Sequence, residues 1–456
     1  MVLALGLLAG CQSGQQAQGG LPGLLDRVVT GAPQRVAPGP GASPAGQPAP
    51  AVRPQSNAPP AAAPALRPQP AVPSNAIETQ PLPLTLTPPG SSDVIRIGFL
   101  APLSGPSAPL GRALFDAAQM ALFDLADDRL LLLPRDTEGQ PDKAAAAAAD
   151  LLAAGAQIII GPLFSSSTAA VAPLARARGV RLLSFSTDQG VAGNGTFLLG
   201  FMPDQQVARA IGFARSRGMS RYALLAPDSP YGNAIAQAAE TAVAQAGGRL
   251  LKAERYPGDG SADLTPVVRR FAAALRALPP RGPEEAMAAG IDPALSRPVD
   301  ALLLPEGGAR LRALAPLLPF FDVDPRAVKF IGTGLWDDTS LGSEPALVGG
   351  WYAGPAPEGF EAFRKRFEQA YGRRPARLAS LAYDATALVG ILAQRGGAAA
   401  FTDLVLTNPD GFAGYDGIFR FRADGTVERG LAMLEIQRRG SRVIDPAPAN
   451  FLPPGN

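Results

Sequence analysis

The sequence predicts an α/β protein: two doubly wound, parallel-sheet lobes behind a disordered Pro/Ala-rich arm. Three observations carry this. Short apolar runs rich in β-branched residues alternate with helix-length segments, each about the length of a βαβ unit. The alternation runs through two series, with a Pro-, Gly-, Glu- and Ala-rich stretch at 279–298 late in the second. Finally, the first aromatic residue is Phe99, and a stretch with no Phe, Trp or Tyr cannot build an ordinary core.

The first series opens with the strand Val94–Leu100, which ends at the turn-forming Ser104-Gly105-Pro106. A helix follows over Ala113–Ala126, with Leu114, Ala118, Ala121, Leu122 and Leu125 on one face. Next come a strand at Leu130–Leu133, an Ala-rich helix at Lys143–Ala153 and a strand at Gln157–Ile160. A helix at Thr168–Arg178 leads into the strand Val180–Phe185. The second series has strand Tyr222–Ala226, helix Asn233–Ala246, strand Leu250–Tyr256 and helix Leu264–Leu278. A surface insertion over Pro279–Pro298 follows, and strands at Ala301–Leu304 and Phe330–Gly332 complete the series. After Trp351 come helices Phe360–Tyr371 and Leu378–Arg395, then extended segments Ile418–Arg422 and Leu431–Arg438.

Composition narrows the chemistry. The chain has 456 residues, no histidine and one cysteine, Cys11, outside the globular region. Triads that need histidine, imidazole-ligated zinc and haem, disulfides and Cys nucleophiles are therefore excluded there. Neither a catalytic residue, a metal ligand nor a cofactor is expected, and the protein reads as non-enzymatic. Before residue 93 four arginines face Asp26 and Glu78; of 41 basic and 39 acidic residues, 37 of each remain, net zero. No concentrated basic surface points to nucleic acid.

The N-terminus has the form of a lipoprotein signal. Met1–Leu8 is apolar, and Leu8-Ala9-Gly10-Cys11 follows: small residues that enter a peptidase groove, then a thiol that accepts a diacylglycerol. The run is too short to span a bilayer. No positive charge precedes Cys11, which places the expected start of translation further upstream. Acyl chains on Cys11 hold a protein at a membrane surface. Between Gly31 and Gly90 lie 17 prolines and four charged side chains, a composition that favours polyproline II. Fully extended, such a segment reaches about 190 Å. It is either a solubilising tether or a device for reaching across the periplasm.

Ligands in doubly wound sheets sit beyond the carboxyl ends of the strands. The segments there resemble those of the type I periplasmic binding proteins, in the branch of leucine/isoleucine/valine receptors. The matches are Ile95-Arg96-Ile97-Gly98 with Leu103-Ser104-Gly105-Pro106, and Ile160-Gly161-Pro162 with Ser165-Ser166-Ser167-Thr168. Pro227-Asp228, Tyr231-Gly232 and Pro305-Glu306 continue the series. The resemblance implies two lobes joined by three crossovers and closing on a ligand. Lobe one would be 94–202 plus 335–415, lobe two 203–334 plus 416–440. The segments 1–10, 11–92 and 441–456 would be signal, tether and C-terminal tail.

Asp116–Gln119, Leu122-Phe123-Asp124 and Ser184–Asp188 look like penicillin-binding protein activators, lipoproteins of the same branch that stimulate a bifunctional peptidoglycan synthase. In lipoproteins an Asp after the acylated cysteine retains the protein at the inner membrane. Here Gln12 stands there, so the expectation is an outer-membrane anchor facing the periplasm, with function through contact with the synthase. The alternative is a solute receptor for an amino-acid-like ligand and an ABC permease.

Carried over by position, Ser165 and Ser186 face a ligand carboxylate, Glu306 its ammonium, and Tyr231 covers it. Ser104, Ser166, Ser184 and Trp336 complete the candidate cleft. Leu110 stands where an aromatic lid residue is expected. Asp188 falls where a hydroxyl would help, and a second carboxylate there costs of order a kcal/mol or more. Each residue has a structural alternative. Ser165–Ser167 either line the cleft or cap a helix; Ser184 and Ser186 either bind ligand or satisfy a turn. Tyr231 and Trp336 either line the cleft or pack, and Glu306 either binds ligand or is a solvated loop carboxylate. Asp337-Asp338 reads as a solvated turn.

Overall fold

The computed structural model describes residues 94–258, 260, 263–288 and 297–452. The arm, Cys11 and residues 289–296 of the expected insertion lie outside the described residues.

The first sheet is entirely parallel, in the order β2-β1-β3-β4-β5. Its strands are β1 (Ile95–Ala101), β2 (Leu130–Asp136), β3 (Ile158–Ile160), β4 (Arg181–Ser184) and β5 (Thr196–Leu198). Ile97 pairs with Leu132 on one side and Ile158 on the other, so the strand order reverses at β1 and opens a crevice there. Helices cover both faces, which is why Ile158-Ile159-Ile160 is apolar without alternation and fully buried. One face carries Ile97, Phe99, Ile160 and Leu183 against α1 (Ala108–Leu125). The other carries Leu100, Ile159 and Leu182 against α2 (Pro141–Ala153) and α3 (Ser165–Ala177), where Ala144, Ala147 and Ala148 present only methyl groups.

The chain then passes through Phe201 into α4 (Pro203–Ser216) and the second lobe. This sheet has seven strands, ordered β15-β14-β10-β9-β8-β6-β7. β6 (Arg221–Asp228), β7 (Arg249–Pro257), β8 (Ala301–Leu303), β9 (Lys329–Gly332) and β10 (Trp351–Gly354) are parallel. α5 (Pro230–Gln245), α6 (Leu264–Arg276), α7 (Pro283–Ala288), α8 (Gly308–Leu314) and α9 (Leu317–Phe320) connect them. After β10 the chain returns to the first lobe as α10 (Pro357–Tyr371), α11 (Ala379–Gly396) and α12 (Asp403–Leu406). A small antiparallel sheet follows, β11 (Phe412–Gly414), β12 (Gly417–Phe421) and β13 (Val427–Arg429). A third passage leads to the hairpin β14 (Ala432–Ile436) and β15 (Ser441–Asp445).

Two boundaries differ from those expected. Residues 335–354 stay with the second lobe, because Trp351 and Tyr352 pair with β9 and Trp336 is buried in that lobe's core. Residues 416–429 stay with the first, because Phe419, Phe421 and Val427 fill its core. Part of the expected insertion is helical, in α7. β5, α4 and β10 lie in segments where the sequence had suggested no element.

Candidate functional site

In the first lobe the loops after the strands are tied to one another. Asp136, at the end of β2, accepts the N–H groups of Leu103 (2.8 Å), Ser104 (3.3 Å) and Glu138 (2.8 Å). Burial alone would raise its pKa, but the Ser104 hydroxyl and these N–H groups outweigh it and hold the carboxyl low. Ser104 is thus spent on fixing its own loop.

After β3 the chain turns at Gly161, where φ is +90° and a Cβ would stand 2.0 Å from the Leu100 carbonyl oxygen. Only glycine fits, and it aims the chain into α3. The first helical bond is from Thr168 N–H to the Phe164 carbonyl, so the N–H groups of Ser165, Ser166 and Ser167 point off the helix end. None of the three serines caps the helix; the cap position is Phe164, which has no side-chain bond to give. Ser165 is half-buried and Ser166 exposed. Ser167 is wholly buried, with a hydroxyl that has no partner among the described residues.

Ser184 and Ser186 divide. Ser184 is buried and bonded to Thr168 Oγ1 (2.7 Å), the Pro162 carbonyl (3.2 Å) and the Ser186 N–H (3.1 Å). It staples the β3 and β4 loops, the turn role that was the structural alternative for it. Ser186 accepts the Asp188 N–H at 3.1 Å, and its own proton has no acceptor among the described residues. Asp188 is exposed and caps a 3-10 turn through the Gly190 N–H at 2.9 Å. Leu110 packs against the first core.

In the second lobe three of the expected residues have partners within the chain. Glu306 receives the Tyr256 hydroxyl at 2.8 Å, and Arg310 stands 3.4 Å away. Its other oxygen accepts the Gly307 N–H at 3.1 Å, so the charge meant for an ammonium is already answered. Trp336 is fully buried over Gly332 and donates its ring N–H to the Glu306 carbonyl at 3.1 Å: it packs, and does not line the cleft. Tyr231 donates to Thr333 Oγ1 at 2.8 Å and packs on the second core. Burial pushes its phenol up to about 12.

One acid escaped the sequence reading. Asp204 stands in the first turn of α4, a favourable place for negative charge, and its Oδ1 is buried with no partner among the described residues. It follows the first passage closely. Gly200, four residues before it, abuts the Ser186 carbonyl, where a Cβ would stand 2.7 Å away. Asp204 opens α4 four residues beyond that contact.

The motifs that resemble the activators have an internal explanation. Asp124 pairs with Arg366 at 2.5 Å and accepts the Tyr383 hydroxyl at 2.6 Å, and Asp116 pairs with Arg373. These acids bind α1 to α10 and α11. Asp337 and Asp338 are no free turn either: Asp337 pairs with Arg377 at 2.5 Å, and Asp338 caps Ser340 N–H at 2.8 Å. Among the described residues no group of three or more acids is placed to hold a metal.

The periplasmic binding protein family model matches residues 94–441, both lobes up to the start of β15. The chain belongs to the periplasmic binding protein family. Solved members share its fold at low identity. A branched-chain amino acid ABC transporter protein from Rhodospirillum rubrum, named as putative, is 19% identical with a TM-score of 0.63, covering 77% of this chain and all of that one. A solute-binding protein from Rhodopseudomonas palustris, in complex with 3,4-dihydroxybenzoic acid, is 18% identical with a TM-score of 0.59, over 79% and 97% of the two chains. LivJ from Streptococcus pneumoniae, in complex with isoleucine, is 20% identical with a TM-score of 0.55, over 77% and 100%. An uncharacterized protein of Rickettsia prowazekii is 28% identical over 163 residues, 36% of this chain and 43% of that protein's length. Among the described residues of this periplasmic binding protein, no helix is long and apolar enough to cross a membrane.

Proposed function

We propose that the protein is a periplasmic receptor for a small solute that carries a carboxylate and an amine, serving an ABC permease. One observation carries the reading: donors at the ends of the first lobe's strands, and an acid at the start of α4, are left without partners among the described residues. The free N–H groups and hydroxyls of Ser165 and Ser166, with the Ser186 proton, offer a carboxylate charge-assisted hydrogen bonds. The buried Asp204 oxygen is the acid available for the amine, in place of Glu306. The ligands held by two of its structural neighbours, isoleucine and 3,4-dihydroxybenzoic acid, share the carboxylate and differ in the amine. That difference is what Asp204 would read.

The activator reading, with a peptidoglycan synthase as partner, loses part of its basis, since Asp116 and Asp124 of its motifs are paired inside the first lobe. A lipid anchor on Cys11 suits a receptor equally well, since it holds the cleft near the membrane.

Isothermal titration of the full chain, refolded to remove carried solute, tests this against isoleucine and pooled amino acids, with benzoate as the amine-free comparison. The expected result is micromolar binding of an amino acid, weakened about tenfold or more by Asp204→Asn. A folded protein that binds neither class refutes the receptor. Binding of benzoate untouched by Asp204→Asn refutes the role of the amine.

A further inference from the structure

Arg377, in the loop between α10 and α11, lies where the three passages between the lobes converge. Its guanidinium stands 5.2 Å from the ring of Phe201, in the first passage, and 4.3 Å from that of Phe360, just beyond the second. Arg429, just before the third, also stacks on Phe201, at 5.0 Å. Arg377 Nη1 donates to Asp416 at 2.8 Å, and Asp416 is fully buried and also receives the Ser380 hydroxyl at 2.7 Å. Phe360, Ser380 and Asp416 belong to the first lobe, so the guanidinium is built into it. Its remaining strong bond leaves that lobe: Nε donates to Asp337 Oδ2 at 2.5 Å. Asp337 follows β9 and sits over the second core, within 3.5 Å of the Tyr352 hydroxyl.

We propose that the Arg377–Asp337 ion pair is an interlobe latch that holds the lobes at the opening seen here and breaks when they close. The guanidinium cannot follow a rotating second lobe, because its stacking and its bond to Asp416 fix it to the first. The displacement is therefore taken up at Asp337. Gln205 also bridges the lobes, accepting the Arg429 N–H at 3.0 Å. It does so at the third passage itself, where rotation displaces atoms least. The conformation held is an open one: Ser104, Phe164, Ser166, Asp228 and Leu335, at the strand ends of both lobes, are all exposed. A pocket of about 520 Å³ beside the pair, lined by Asp337 and Ser441 on one lobe and Phe360 and Arg377 on the other, leaves the two carriers room to part. Removing a contact made in one conformer shifts the population towards the others.

Spin labels on Asp150→Cys in α2 and Glu240→Cys in α5, in the full chain with Cys11→Ser, report the interlobe distance without any solute. The parent is expected to give one narrow distribution. Asp337→Asn and Asp337→Ser are each expected to add a second population, and Asp337→Glu, which restores the charge, to remove it. Identical distributions in all four proteins overturn the latch. The solute arm alone rests on the receptor reading: there Asp337→Asn tightens binding about threefold or more, at a matched melting temperature. Unchanged affinity beside a changed distribution refutes breakage on closure. Absence of binding beside a changed distribution counts against the receptor and leaves the latch standing.

Discussion

Replacing Asp384 with Asn is expected to make the protein less sensitive to alkali. Asp384 lies on α11, 4% exposed. Burial pushes its carboxyl up to about 7, and the neighbouring Asp416 carboxylate adds to the effect. The Tyr415 N–H at 2.9 Å and the Arg429 guanidinium oppose it without cancelling it. The unfolded chain has the ordinary value, about 3.9. Between these values the folded state holds the proton more tightly than the unfolded one. Stability contributed by this group is therefore fully present below about pH 4 and is lost as pH rises towards 7. At about 1.4 kcal/mol per unit, the wild type loses stability on the order of 2–3 kcal/mol between pH 5 and pH 8 through this residue. Asn cannot ionise and escapes the loss. Urea unfolding of both proteins at pH 5 and pH 8 measures it: the stability of Asp384→Asn relative to wild type should improve by that amount at the higher pH. An equal difference at both pH values would show that Asp384 does not hold a proton near neutrality, and the reasoning from burial fails.

Two further outcomes are expected. Glu306→Gln should leave amino-acid affinity within about twofold of wild type, by titration calorimetry, because Tyr256 and Arg310 already occupy the carboxylate; a tenfold loss would return Glu306 to the site. Cells fed radiolabelled palmitate should label the wild-type chain but not Cys11→Ser, and equal labelling would remove the lipid anchor from the proposal.

The lobes were legible because their strands are buried on both faces and read as continuous apolar runs between helix-length segments. Ile158–Ile160 and Tyr222–Ala226 are of this kind. The elements that were missed lack that contrast. Trp351–Gly354 is a four-residue strand that follows two glycines and ends on a third, and its membership in the second sheet depends on pairing with β9 and the distant β14. Phe419 and Phe421 alternate as a strand should, but alternation does not say which of two cores receives them; that was settled by aromatic packing with Phe412 and Phe197. The serines at the strand ends were found by position. Which of them keeps a free proton was not, because Ser184 is spent on Thr168, a partner from the neighbouring loop.

The same limit bears on the proposal of Asp204 in place of Glu306, and here the sequence did hold a clue. An acid in a crevice can meet a ligand only if nothing in the chain answers its charge first. Glu306 stands one helical turn before Arg310, a spacing at which the two side chains meet, and they do. Asp204 opens its helix with no Lys or Arg within four positions on either side, so no local partner reaches it. Residue type and strand-end position nominated a carboxylate whose charge the chain itself answers. Asking which acid lacks a basic neighbour one turn away would have nominated the other, and that criterion applies wherever a helix begins at the rim of a cleft.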